Sequence, residues 1–220
     1  MAVRKVLAGV AAAVLVVLAA TGCVPDPFEP DGREATASRE RTWPEADRLL
    51  TEVRGAREPI ARARYDGCTE GQNNFKRRDE FSHECFVMAS ALTRAAGTED
   101  EVGDAVVVMS EELERLGCTT ADMTLAEIER RYWQQFRNRD GYGPGQLPEA
   151  RYRCGEADVS VRAVDLETLA DRLPPSPAVY LHEMLDEQPY PADTVDRAEA
   201  DGAAMFWLIT VGLRYYTTRF

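Results

Sequence analysis

The stretch "AMFWLITVGLRYYTTRF" (residues 204–220) decides how the rest of the chain is read. Trp207, Ile209, Val211, Leu213 and Tyr215 recur at every second position, the period of a strand with one face buried. A membrane-spanning helix needs about 20 consecutive apolar residues, and the apolar core here is shorter. A buried strand is expected, and a strand needs partners.

Three segments offer themselves. "DVSVRAVD" (158–165) sets Val159, Val161 and Ala163 against Ser160 and Arg162, the alternation of a half-buried strand. "ARYRC" (150–154) precedes it across Gly155-Glu156-Ala157, a spacing that closes a hairpin. "ECFVMASALT" (84–93) is apolar on both faces, which suits a central strand and equally a buried helix.

Helix starts show a different signature. Thr42, Thr98 and Thr124 each stand three residues before a glutamate (Glu45, Glu101, Glu127), the T-x-x-E capping box. Val102, Val106, Met109, Leu113 and Leu116 follow the second box at helical spacing, and Gly117 offers a left-handed stop. Trp43, Ala46, Leu49, Leu50 and Val53 follow the first, before Pro59 intervenes. Leu125, Ile128, Tyr132 and Phe136 follow the third, which fades into a glycine-rich loop at 141–148. Two shorter helices are expected, one in "DLETLADRL" (165–173) capped by Asp165, another beginning at Ser176-Pro177. The sum is a single α+β domain over 42–220: an antiparallel sheet of about four or five strands with helices packed on one face. Residues 24–41, proline-rich and charged without an apolar period, read as a flexible tether.

Ahead of the tether lie Arg4 and Lys5, an uncharged apolar run over 6–20, and Ala20-Thr21-Gly22-Cys23. Basic, apolar and small residues in that order are the layout of a secretory signal peptide over 1–22. Its A-T-G-C ending resembles the lipobox of bacterial lipoproteins, with Ala20 where that family usually carries leucine. The resemblance implies that the Cys23 thiol receives a diacylglycerol, that a peptidase cuts before it, and that the acyl chains anchor the protein to the membrane. Two or more chains give stable anchoring where one is marginal. Lys5 and Lys76 are the only lysines, and the arginine-rich remainder resembles proteins of GC-rich actinobacteria.

None of the 38 acidic side chains and only two of the 26 basic ones precede Cys23, so cleavage takes the net charge from -12 to -14. Such a surface repels phosphate backbones and excludes nucleic acid as a partner. The four cysteines beyond Cys23 are Cys68, Cys85, Cys118 and Cys154, an even number that outside the cytoplasm reads as two disulfides. Three connectivities exist. Moderate loop sizes favour Cys68–Cys85 with Cys118–Cys154, without deciding it. No C-x-x-C spacing is present, so no metal or other cofactor is implied.

The candidates for chemistry are few. His83 and His182 each precede a glutamate, yet Val87 and Asp186 stand where an H-E-x-x-H zinc helix needs its second histidine. No nucleophile elbow or phosphate-binding glycine loop occurs. Tyr132-Trp133 with Phe136, and Tyr215-Tyr216, fit core packing better than a ligand platform. Asp186, Glu187, Asp193 and Asp196 miss the EF-hand spacing and read as a solvated acidic face. Two functions follow as expectations. The first is a non-catalytic binding or accessory lipoprotein of the cell envelope, with an envelope protein as partner. The alternative is an envelope hydrolase whose site is assembled from His83, His182 and nearby carboxylates.

Overall fold

In the computed structural model, which describes residues 28–74, 76, 78–120, 122–133, 148–173 and 183–219, the carboxy-terminal alternation becomes strand β6 (Met205–Thr218). It pairs antiparallel along its length with β2 (His83–Ala96), the doubly apolar segment. β6 also pairs with β4 (Ala157–Val164), which forms the expected hairpin with β3 (Glu149–Cys154). On the far side β2 pairs with β1 (Pro59–Glu70), and β1 with β5 (Glu183–Gln188). The order β3-β4-β6-β2-β1-β5 gives one antiparallel sheet of six strands, where the sequence suggested four or five.

The two added strands, β1 and β5, hide for different reasons. β1 buries only small residues and one aromatic at its alternating positions, Ala61, Ala63 and Tyr65, and then carries Asp66 and Gly67, which are depleted in strands. β5 is a mostly exposed, acidic edge strand, and charge on an edge is how sheets avoid further pairing.

Helices cover both faces, which corrects the one-sided packing expected. On one face α1 (Arg33–Arg54), α2 (Val102–Arg115) and α3 (Leu125–Ile128) seat Ala46, Leu50, Val53, Val106, Met109, Leu113 and Leu125 against Val87, Ala89, Val159, Trp207, Ile209 and Val211. On the other, α4 (Leu166–Arg172) and α5 (Thr194–Asp201) bring Leu169 and Ala198 against Phe206, Leu208 and Leu92. β6 therefore buries even as well as odd positions, as a central strand covered on both faces must.

Two of the three capping boxes form. Glu101 reaches back to the Thr98 amide ahead of a 3-10 turn that leads into α2. Thr124 Oγ1 accepts from the Glu127 amide at 3.2 Å while Glu127 accepts from the Thr124 amide at 2.9 Å. Asp165 accepts from the Thr168 amide at 2.7 Å and starts α4. Gly117, at φ 76°, ends α2 as expected. Thr42 starts nothing: it lies inside α1, where its hydroxyl donates to the Ser38 carbonyl at 2.8 Å. The helix begins at Arg33, so residues 33–41 are not tether. Good helix formers fill them and Glu34 sits in the first turn, but Ala35 is their only fully buried residue, which is why no apolar period marks them.

Both favoured disulfides are present, Cys68–Cys85 across β1 and β2, and Cys118–Cys154 from the end of α2 to β3. Cys23, the Ser176-Pro177 helix, His182, Phe136 and loop residues 141–147 lie outside the described residues. Among the described residues no helix is long and apolar enough to cross a membrane. The bridges span 17 and 36 residues, so chain entropy makes the second the stronger. Paired Cys118→Ser and Cys154→Ser substitution is expected to cost about 4 kcal/mol, and the Cys68→Ser, Cys85→Ser pair about 3 kcal/mol, measured by urea unfolding.

Candidate functional site

The most deeply buried charge among the described residues has a cation in reach, and it lies in β1, the strand that sequence patterning passed over. Asp66 is 1% exposed and faces α1. Its Oδ2 lies 2.7 Å from Arg39 Nε of α1, and its Oδ1 accepts from the Tyr215 hydroxyl of β6 at 2.8 Å. The Arg39 guanidinium sits 5.4 Å from the Tyr215 ring centroid and donates to the Tyr215 oxygen at 3.3 Å and to the Pro30 carbonyl at 2.9 Å. One helix and two strands thus meet at a carboxylate.

Tyr215 reaches that point because β6 is irregular there. Cys85 pairs with Tyr216 and Phe86 with Arg214, so Tyr215 is an extra residue in the register, a bulge. Tyr215 and Tyr216 consequently pack toward the same core. Burial pushes the Asp66 carboxyl above its usual range, against the opposing pull of the Tyr215 hydrogen bond and the Arg39 cation; Asp186 and Asp31 add to the rise. Burial also raises the Tyr215 phenol, which keeps it a donor at neutral pH.

Beside this cluster a cavity of about 500 Å³ opens between the first turns of α1 and the end of β6. Arg33, Ser38 and Arg41 line it on the helix side, and Tyr216 and Thr218 on the strand side. Its walls carry Glu29 and Glu34 as well as the arginines, so it favours neither sign of charge.

Other candidates resolve differently. His83 opens β2, and its ring stacks on Phe28 with centroids 3.9 Å apart; its Nδ1 is buried without a hydrogen-bond partner. Glu84 points elsewhere, accepting from Arg214 at 2.5 Å. Asp186 and Glu187 lie on the edge strand β5, and Asp193 stands just before α5, its carboxylate paired with Arg197 at 2.8 Å. Among the described residues no group of three metal-ligating side chains exists. Ser90, fully buried in β2, lies 2.7 Å from the Tyr190 hydroxyl and 2.8 Å from that of Thr210. The Ser90 hydroxyl also donates to the Ile209 carbonyl at 2.9 Å, so the knot works as a polar pin between strands, beside a cavity of about 380 Å³. No sequence motif marks either knot, because each joins residues far apart in the chain.

The chain matches no family model, no curated protein and no solved structure. The site is therefore read from its own chemistry, which is that of an internal lock: a buried acid held by a guanidinium ion pair on one oxygen and a phenol hydrogen bond on the other.

Since folded Asp66 takes up its proton at higher pH than an unfolded carboxyl, acidification through that raised pKa favours the folded state until unfolded chains protonate as well. Removing Arg39 takes away the cation that opposes the rise. Arg39→Ala is expected to cost about 3 kcal/mol at pH 7, where a buried anion is left unpaired. The deficit should shrink toward pH 4, as followed by urea unfolding midpoints of both proteins.

Proposed function

We propose that this chain is a lipid-anchored, non-catalytic accessory protein on the outer face of a bacterial cell membrane, of actinobacterial type, presenting its α+β domain to another envelope component. The observation that carries this reading is Cys23, placed where the apolar run 6–20 gives way to polar sequence. The two disulfides of the domain suit an oxidising compartment. With α1 starting at Arg33, residues 24–32 are all that separate the anchor from the helix, a reach of at most about 30 Å. The domain then stands against the bilayer, not at the end of a long leash. Its net charge of -14 after cleavage keeps the surface itself off anionic headgroups, leaving the acyl chains to hold it.

Of the hydrolase alternative the described residues include His83, while His182 lies outside them. His83 is stacked on an aromatic ring and no carboxylate partners its buried nitrogen.

Cell fractionation and detergent-phase partitioning test the anchor. The native protein is expected in the membrane and detergent phases, with a mature N-terminus at Cys23 whose mass includes acyl chains. Cys23→Ser should move it to the aqueous phase. A Cys23→Ser protein still held on the membrane would refute the reading. Crosslinking in intact cells then identifies the partner.

A further inference from the structure

Helix α1 is two structures joined at Pro44. Residues 44–54 bury Ala46, Leu50 and Val53 in the core, whereas residues 33–43 fully bury Ala35 alone. Proline inside a helix cannot donate to the carbonyl four residues earlier, here Glu40, and its ring crowds that turn. The first segment therefore meets the second across a missing backbone hydrogen bond, and its apolar footing is slight: Ala35, with Trp43 partly buried against the core. Its one ion pair to the sheet among those described is Arg39 on Asp66, reinforced by Tyr215, with the Phe28–His83 stack just ahead of it. The cavity of about 500 Å³ lies between its first turns and the end of β6, so there the contact of helix with sheet is incomplete.

We propose that residues 33–43 form a strap, hinged at Pro44 and latched by Arg39 on Asp66, that leaves the sheet while the rest of the domain stays folded. Release hydrates Asp66, uncovers Tyr215 and opens the cavity. A free helix of eleven residues is marginal in water, so the released strap melts. Its length then grows from about 16 Å as helix toward about 36 Å extended. Such a strap stands without the anchor. On the anchored reading of the preceding section, the same motion sets how far the domain reaches from the bilayer.

Native-state hydrogen exchange of the full chain in detergent, with disulfides intact, tests the strap. Amides 37–43 and 45–47 donate to carbonyls at or before residue 43, whereas amide 48 is the first to use Pro44. Protection is expected to step up at least tenfold between amides 47 and 48. Asp66→Ala should speed exchange of the strap amides at least a further tenfold, leaving amides 48–54 and strands β2 and β6 unchanged. Arg39→Ala serves the same purpose should Asp66→Ala not fold, and Pro44→Ala should weaken the step. Protection that rises smoothly from Arg33 would mean ordinary end fraying and would overturn the proposal. So would equal protection on both sides of residue 47, or an Asp66→Ala effect shared by the whole helix. None of these outcomes depends on lipid at Cys23.

Discussion

The pairing of β2 with β6 is the constraint from which the remaining architecture follows. Each strand has 14 residues, each is apolar on both faces, and each is covered on both. A strand buried in this way cannot slip by one residue without sending its whole side-chain set to the wrong core. That fixed register sets where the other elements can attach: β1 and β5 on one side, β4 and β3 on the other, helices above and below. It breaks at Cys85/Phe86, where one extra residue of β6 turns Tyr215 toward α1.

The Asp66 cluster is what the break makes available. Taking a carboxylate out of water is expensive, and its partners only partly offset that cost, which is why its proton affinity stays raised. Apolar residues of similar volume would hold a helix at least as firmly. A charged contact has a different property: it is directional, so it aligns the first turns of α1 against two strands at once, in a region where the helix has little to bury. Specificity of placement is gained there at some expense of stability, whereas after Pro44 the helix relies on ordinary apolar packing.

Patterning revealed the parts of this fold that obey a period. β6, β2 and the β3–β4 hairpin alternate or run apolar, and the Thr98, Thr124 and Asp165 caps mark true starts. Thr42 carries the same motif in the interior of a helix, since a capping box is a local pattern and residues 33–41 continue the helix upstream through good intrinsic formers. β1 was illegible because its strand character is tertiary: alanines fill its inward positions, and Asp66 is tolerated only through Arg39 and Tyr215, 27 residues before and 149 after it. β5 escaped because an edge strand need not alternate. The cysteines paired as loop size favoured, though spacing left three choices. The Asp66 cluster left no trace in sequence, for contacts between such distant positions have no spacing to recognise.

The two bridges follow one another along the chain, Cys68 with Cys85 and then Cys118 with Cys154, neither nested nor crossed. For a polypeptide threaded amino end first into an oxidising space, each thiol would meet its proper mate before the next pair emerged. Stepwise oxidation during translocation would then yield the native bonds directly, with no reshuffling by an isomerase. Maturation along that route would be coupled to the order in which the chain emerges, and scrambled isomers would belong to chains released all at once and unfolded.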